Sequence, residues 1–430
     1  MPGNREQILR IVFLTWVDCR SKSRCLKAMK IVGKKRLIPE LSALLKKQFP
    51  QELAPNKSRL SKLVSDPLAQ KQFLAQMVKI TAMISNSRLK TGFFRAYLRI
   101  YCAKINKDGR HGSVIMEITK RCNQQCRHCY SRAQLKKSMK AKTIKQIIKL
   151  VRNNYKHIFI TGGEPTLDKR VLTMAKANPD IMFFMFTNGG LIDRAYARKL
   201  SVAGNLIPIL SIDGYSQRQH DYFKGKGSWR RLMRAIKALN AAGMPWGYLS
   251  MITNINAREV LSKKFVKTMK QKGAMLARYL EYIPVGPGAA PELVPSAETY
   301  YLMEKRKQEI IKNYEIYMQE TAQKKCLGLV FFDVDGNIKC CPFFHYSKHN
   351  IAEGNAEGLI QDSTADWCRA KYLGECPVYS DQEGLKGHLL RQLWKPTISS
   401  NQENSITVQL AKVMSDNYRS FLKIKTARGF

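Results

Sequence analysis

From about residue 111, short apolar runs alternate with amphipathic stretches along the chain. The amphipathic stretches, such as Thr143–Asn153 and Trp229–Ala241, repeat apolar residues every three or four positions, which is typical of helices packed on one side. Strands that alternate with helices in this way indicate a parallel sheet with the helices outside it. The apolar runs predict six strands, at Ser113–Ile118, His157–Thr161, Ile181–Thr187, Leu206–Ile212, Trp246–Thr253 and Ala277–Ile283.

Six strand-then-helix units are fewer than the eight of a closed TIM barrel. We therefore predict an α/β fold in which residues 111–290 form a partial (β/α)6 TIM-like barrel. Ligands of such sheets bind at the C-terminal ends of the strands, so candidate chemistry is expected in the loops that follow them.

The chain on either side of the predicted barrel has other patterns. Its N-terminal part is helix-patterned and basic, and its C-terminal part begins with a charged helix, Ala297–Gln323, followed by a cysteine-rich segment. We predict a basic, amphipathic helical region (1–110), a linker helix (291–325), a small cysteine-rich α+β domain (326–384) and a basic helical tail (385–430).

The net charge of the chain says more about possible binding partners than its amino-acid composition does. The 430 residues include 74 Lys and Arg against 32 Asp and Glu, a formal charge of +42, and residues 1–110 alone carry +18 from 24 basic and 6 acidic residues. Such an excess attracts polyanions. Two interpretations of the N-terminal helices remain open: a solvated basic face on helices packed against the barrel, or a face that binds an anionic membrane surface or another polyanion.

Neither a secretory signal nor an apolar run of about 20 residues is found in the sequence. We expect a cytoplasmic protein, and peripheral binding to the inner face of the membrane stays open as an alternative. Cytosolic thiols stay reduced, so clusters among the 11 cysteines indicate metal ligands or redox groups.

One such cluster directly follows the first predicted strand. Cys122, Cys126 and Cys129 have the spacing C-x3-C-x2-C. Three thiolates in one short loop can ligate three irons of a [4Fe–4S] cluster and leave the fourth iron open. The alternative is a three-cysteine zinc site, although zinc sites usually take paired cysteines from two separate segments.

This loop, with the preceding Glu117–Arg121, resembles the opening of radical SAM (S-adenosylmethionine) enzymes, and the resemblance covers roughly residues 111–290. Thr161–Pro165 resembles the "GGEP" segment of that family. The resemblance implies that Gly162, Gly163 and Glu164 meet the amino group of the SAM methionine.

Three later strand ends are also similar to those that line the SAM pocket in the family. Asn188, Ser211 and Asn256 stand at these ends, and for each of them a purely structural capping role remains an alternative. By resemblance, Ser211 would bind the ribose hydroxyls. Lys224 would pair with the methionine carboxylate, where relatives often have Arg.

The resemblance implies a defined chemistry. SAM would bind the open iron, and an electron from a donor such as flavodoxin or ferredoxin would cleave it to methionine and a 5′-deoxyadenosyl radical. That radical would abstract a hydrogen atom from the substrate.

A second cysteine segment resembles the SPASM and Twitch extensions of radical SAM enzymes, which hold auxiliary iron–sulfur clusters. A hairpin with its turn at Asp335-Gly336 is predicted to bring two of its cysteines together. Cys340 could replace its neighbour Cys341, a structural zinc could replace the cluster, or the thiols could be unligated. The resemblance implies one auxiliary [4Fe–4S] cluster on Cys326, Cys341, Cys368 and Cys376.

Three classes of function are consistent with these features. The first is a radical SAM oxidoreductase or maturase acting on a peptide, a protein or a cofactor precursor. The second is a radical SAM enzyme whose substrate is a lipid or another membrane-bound molecule. The third is an RNA-modifying enzyme or a non-catalytic, cluster-bearing protein that binds polyanions.

Overall fold

The structure is a computed structural model. It describes residues 113–131, 136–154, 157–179, 181–313, 317–319, 329–343, 345–369, 391–393 and 395–397, and short stretches between 413 and 427. The predicted region 1–110, with its proposed membrane- or polyanion-binding face, lies outside the described residues. The same is true of Cys326 and Cys376.

Strands and helices alternate through the barrel region, followed by shorter strands. The strands are β1 Ser113–Thr119, β2 His157–Gly162, β3 Met182–Thr187, β4 Leu206–Ser211, β5 Trp246–Ile252, β6 Ala274–Glu281, β7 Tyr317–Gln319, β8 Leu329–Phe332, β9 Ile338–Lys339, β10 Tyr346–Ser347 and β11 Lys395–Pro396. The helices are α1 Ala141–Asn154, α2 Arg170–Ala177, α3 Arg194–Ala203, α4 Gln217–Lys224, α5 Ser228–Ala241, α6 Ala257–Val260, α7 Lys263–Gln271, α8 Ala297–Asn313 and α9 Ala356–Arg369.

Nine strands of the described chain form one sheet in the order β7-β6-β5-β4-β3-β2-β1-β8-β9. All neighbouring pairs are parallel except β8 and β9, which are antiparallel. The predicted α/β fold is confirmed, and the six predicted strands lie side by side in chain order. Because β1 to β6 run in the same direction, the loops that follow them all meet at one edge of the sheet.

Three strands, β7, β8 and β9, join this sheet from outside the predicted barrel. β8 pairs in parallel with β1, from Ser113 opposite Leu329 to Met116 opposite Phe332. The predicted helix Ala297–Gln323 is too long, because α8 ends at Asn313 and β7 then pairs with the edge of β6. Pairing satisfies backbone groups that an exposed edge would leave open, so the tertiary context overrides the local helical pattern.

The two faces of the sheet have different neighbours. Tyr248 on β5 and Tyr279 on β6 point outward, their hydroxyls 2.9 Å apart, and the Tyr248 ring packs against Phe265 of α7 at 5.5 Å. Since side chains alternate along a strand, the adjacent Leu249 and Arg278 face the concave side.

The outer helices are held by apolar stripes. In α1, the residues that are spaced three or four apart, Ile144, Ile147, Ile148 and Val151, are buried. No helix within the described ranges is both long enough and apolar enough to cross a membrane.

Candidate functional site

The three-cysteine loop lies at the C-terminal edge of the sheet, immediately after β1. The backbone N–H of Arg127 donates to the carbonyl of Phe223 in α4 at 3.0 Å, which ties the loop to the far side of the barrel mouth. The thiols of Cys122, Cys126 and Cys129 are partly exposed.

These thiols are chemically suited to hold a cluster. Burial raises the pKa of Cys122 to about 11, and the nearby Cys126 and Cys129 act in the same direction. Thiolates this close together repel one another, and the iron ions of a bound cluster would offset that repulsion. Across the described residues, no three His, Cys, Asp or Glu side chains are grouped for a single metal ion. The donor set of three soft thiols on one loop fits a [4Fe–4S] cluster.

The glycine pair at the end of β2 packs directly on the start of the cysteine loop. Gly163 N donates to Thr119 O at 2.7 Å, and Glu164 N donates to Arg121 O at 2.8 Å. A Cβ atom on Gly162 would collide with Thr119 O, and one on Gly163 would collide with Arg121 O. Gly162 also has a φ of 149°, which L-residues rarely adopt. Both positions therefore require glycine for the close approach.

Glu164 is fully buried, and its carboxylate joins the ends of β2 and β3. Oε1 accepts from Thr166 N at 3.0 Å, Thr166 Oγ1 at 2.6 Å and Thr187 Oγ1 at 2.7 Å, and Oε2 accepts from Asn188 N at 2.7 Å. Burial raises the pKa of Glu164, and these hydrogen bonds oppose the rise. The carboxylate thus fixes the shape of the glycine turn.

Asn188 connects the end of β3 to the cysteine loop. Its Nδ2 donates to Asn123 Oδ1 at 2.8 Å, and its Oδ1 accepts from Gly190 N at 2.8 Å. Ser211 is the last residue of β4 and is partly buried. Both lie on the same edge of the sheet as the cysteines.

Asn256 is fully buried after β5, and its amide is used within the protein. Nδ2 donates to Asp213 O at 3.1 Å and to Met251 O at 2.8 Å, and Oδ1 accepts from both the N and the Oγ1 of Thr253. This side chain holds together the turns that follow β4 and β5.

Lys224 lies beside the cysteine loop and forms a buried ion pair. Its Nζ is 2.8 Å from Oδ2 of Asp213, and the same oxygen is 3.2 Å from Nε2 of His128, inside the loop. Burial opposes charge on Asp213, but Lys224 and His128 hold the pKa of its carboxyl well below its usual range. Burial likewise opposes charge on Lys224, yet Asp213 and the nearby Cys126 raise its pKa.

Asp213 and His128 were not predicted as site residues. The family resemblance assigns a role to Ser211, two residues before Asp213, and the cysteine spacing indicates only the three thiols. The available signal was an acidic residue at a strand end with a basic residue following on the next helix.

The segment after β6 covers the cysteine loop. Cβ atoms on Gly286 and Gly288 would collide with the backbone of Tyr130 and Cys129 respectively. The hydroxyl of Tyr282 holds this segment in place by donating to Gly288 O at 2.6 Å and accepting from Ala290 N at 2.9 Å. In the sequence, this close contact is indicated only by the two glycines of Gly286-Pro287-Gly288.

The second cysteine segment lies next to the first. The ring of Tyr130, which follows Cys129, meets the ring of Phe343 edge-on at 5.1 Å, two residues beyond Cys341. Cys341 and Cys340 are both buried, and the thiol of Cys340 contacts the carbonyl of Ser363 in α9 at 3.7 Å.

The described part of the auxiliary site is limited to these thiols. Cys368 is placed near the end of α9, but its side chain is not described. The ligand set Cys326, Cys341, Cys368 and Cys376, and the choice between Cys340 and Cys341, therefore stay predictions.

The site matches a known family in sequence as well as in arrangement. The profile of the Radical SAM superfamily matches residues 116–262, which run from β1 to the end of the turn after α6. Residues 116–262 form a radical SAM domain. Enzymes of this superfamily use SAM and a [4Fe–4S] cluster, and the matched residues contain all three cysteines of the loop and the glycine pair.

The relatives of this chain share only part of their length with it. An AdoMet-dependent heme synthase of Methanosarcina barkeri is 29% identical over 194 residues, which are 43% of this chain and 54% of the synthase. The mycofactocin maturase MftC of Mycolicibacterium smegmatis is 29% identical over 169 residues, 38% of this chain and 41% of the maturase. The chain thus spans about half the length of these curated relatives.

Among solved structures, Streptococcus suis SuiB bound to S-adenosylmethionine is similar with a TM-score of 0.54. The match has 15% sequence identity and covers 85% of this chain and 89% of SuiB. This similarity extends beyond the matched radical SAM domain and confirms the fold.

Proposed function

We propose that this protein cleaves SAM reductively and uses the resulting radical on a peptide, a protein or a cofactor precursor. The observation that carries the proposal is the packing of the Gly162-Gly163 turn against the start of the loop that bears Cys122, Cys126 and Cys129. When bound, the cluster and SAM supply a 5′-deoxyadenosyl radical that abstracts a hydrogen atom from the substrate.

Each side chain has a distinct role in this proposal. The three thiolates hold the cluster, while the backbone at Gly162 and Gly163 receives the amino group of SAM. Ser211 and Asn188, at the ends of β4 and β3, line the pocket. The positive charge of Lys224 lies close to Cys126 and Cys129 and attracts the carboxylate of SAM, although Asp213 already takes one of its hydrogen bonds.

Glu164 and Asn256 act differently, because their polar atoms are occupied by protein groups. We assign them the role of holding the strand ends that present the SAM pocket. They belong to the site as positioning residues.

The substrate class rests on the relatives. They include an AdoMet-dependent heme synthase, matched over 43% of this chain, and a mycofactocin maturase, matched over 38% of it. The proposal includes an auxiliary [4Fe–4S] cluster in the second cysteine segment and an electron donor of the flavodoxin or ferredoxin type. Candidate precursor peptides encoded near the gene would be tested directly by mass spectrometry after incubation with the enzyme.

Anaerobic reconstitution of the full chain, followed by dithionite and SAM, tests the chemistry. We expect 5′-deoxyadenosine from the wild type and none from the triple variant Cys122→Ala, Cys126→Ala, Cys129→Ala. Cys102→Ala is the matched control, because this cysteine lies outside both cysteine segments and should leave the product unchanged. Product from the triple variant would refute the assignment.

Iron content tests the second cluster. Two cubanes correspond to about eight irons per chain, and the triple variant should keep about half of them. Zinc in place of the remaining iron, or loss of all iron in the triple variant, would contradict the auxiliary cluster.

A further inference from the structure

Arg278 reaches across the concave side of the sheet. Its guanidinium carbon lies 5.0 Å from the centre of the Phe159 ring on β2 and 5.4 Å from that of Phe186 on β3. Arg278 itself is on β6, and β4 and β5 separate β6 from β3 in the sheet. A contact between strands so far apart in the order can form only through the interior of the partial barrel.

The surroundings of Arg278 are aromatic, and Arg278 and Phe186 are partly buried. The Phe159 and Phe186 rings are stacked at 5.4 Å, and Phe159 is buried. Burial lowers the pKa of Arg278 to about 10, so the group remains a cation at neutral pH. His157, on the same face of β2, is neutral there because burial and the charge of Arg278 lower its pKa to about 4. Arg278 therefore supplies the positive charge at this level of the barrel.

The position of Arg278 relative to the predicted SAM site is suited to a substrate. Phe159 precedes Gly162 by three residues in the same strand, a rise of about 10 Å. Strand pairing places Arg278 opposite Leu249, and Leu249 opposite Ser211. The backbone of Arg278 is thus level with Ser211 at the cysteine-loop edge, whereas its guanidinium reaches inward to Phe159, below that edge. A molecule bound to the guanidinium would extend upward to the edge.

We propose that Arg278 binds a carboxylate or phosphate group of the substrate inside the barrel. A guanidinium offers a planar pair of N–H donors that matches an oxyanion, and the bond is strong where water is scarce. The stacked rings hold the guanidinium in place, so an anion bound to it fixes one end of the substrate. This inference rests on the proposed function and deepens it, since it specifies an anionic substrate.

Ligand-free, full-length protein is used to test the inference, with acetate and inorganic phosphate as probes at an ionic strength held constant with NaCl. Melting temperature is followed against probe concentration. We expect a saturable rise for the wild type and a half-saturating concentration about thirty-fold higher or more for Arg278→Met. The stronger of the two probes distinguishes a carboxylate from a phosphate.

Lys264→Met is the matched control, because it removes another cation that lies over an aromatic ring, 5.6 Å from the centre of Tyr215. It should respond to both probes as the wild type does. If Arg278→Met fails to fold, Arg278→Lys carries the test, since it keeps the charge but loses the paired donors and should weaken the response several-fold.

Two results would overturn the inference. One is the lack of a saturable response in the wild type to either probe, and the other is an unchanged half-saturating concentration in the Arg278 variant that folds. The melting assay contains neither SAM nor iron, so its result does not depend on whether the reconstituted enzyme forms 5′-deoxyadenosine. The anion-binding inference and the proposed function can therefore fail separately.

Discussion

The Nζ atom of Lys224 lies 2.8 Å from Oδ2 of Asp213, and both side chains are buried. The same carboxylate oxygen contacts Nε2 of His128, between the second and third cysteines of the loop. Asp213 thereby links the turn after β4 to both the cysteine loop and the end of α4. It is a positioning residue in our interpretation, since it acts through the groups that it orients.

Replacing Asp213 with Asn should leave Lys224 buried without its counter-ion. We expect a loss of stability of about 3 kcal/mol or more, because removing one partner of a buried ion pair strands the other charge. Thermal denaturation of the ligand-free protein measures this loss. Asp193→Asn is the control: it caps α3 at an exposed position where Asn caps equally well, and it should have little effect.

A second variant separates SAM binding from stability. The double variant Asp213→Asn, Lys224→Met removes both buried charges, so it should recover much of the lost stability, but its SAM affinity should be low because Lys224 is part of the proposed SAM pocket. SAM affinity equal to that of the wild type in this stable variant would contradict the role of Lys224.

Glu164→Gln should destabilise the strand ends although it preserves the size of the side chain. An amide NH2 would replace Oε2 and face the N–H of Asn188, so two donors would oppose each other in a buried site. We expect a cost of about 1–3 kcal/mol in thermal denaturation. Glu298→Gln, on the exposed start of α8, should change stability by less than about 0.5 kcal/mol. Equal effects of the two substitutions would argue against the role assigned to Glu164.

Gly163→Ala tests the close approach of the glycine turn to the cysteine loop. The added Cβ would overlap the carbonyl of Arg121, a backbone group that cannot move without displacing the loop. We expect a loss of about 3 kcal/mol and lower iron content after reconstitution. Gly204→Ala is the comparison. Alanine at its φ of 75° should lower stability by about 1 kcal/mol. Because nothing lies within 4 Å of the added Cβ, the iron content should not change.

The buried His157 should make stability depend on pH. In the unfolded chain His takes up a proton near pH 6.5, whereas burial and Arg278 lower the pKa of folded His157 to about 4. Between these values the unfolded state binds more protons, so stability rises with pH by up to about 1.4 kcal/mol per unit for this group.

His157→Gln should therefore reduce the slope of stability against pH between about pH 4 and 6.5. Urea denaturation at a series of pH values measures the slope. Part of the slope will remain, because burial also lowers the pKa of His220 to about 4 and that of His345 to about 3. An unchanged slope in the variant would mean that His157 does not titrate as described.

The order of strands and helices and the chemistry of single loops could be predicted from sequence because both are local properties. Apolar periodicity identified β1 to β6 in order, and the spacing of Cys122, Cys126 and Cys129 within one loop limits how far apart the thiols can lie. The glycine pair after β2 was recognisable for the same reason, since its neighbours in sequence define the turn.

Contacts between distant parts of the chain were decided only by the tertiary structure. β8 pairs with β1 across more than 200 residues, the Asp213 carboxylate brings His128 and Lys224 together, and Arg278 crosses the barrel interior to Phe159. Each contact depends on strand register and on how far the sheet curves. Periodicity in sequence reports which face of an element is buried, but it carries no information about which distant side chain that face will meet.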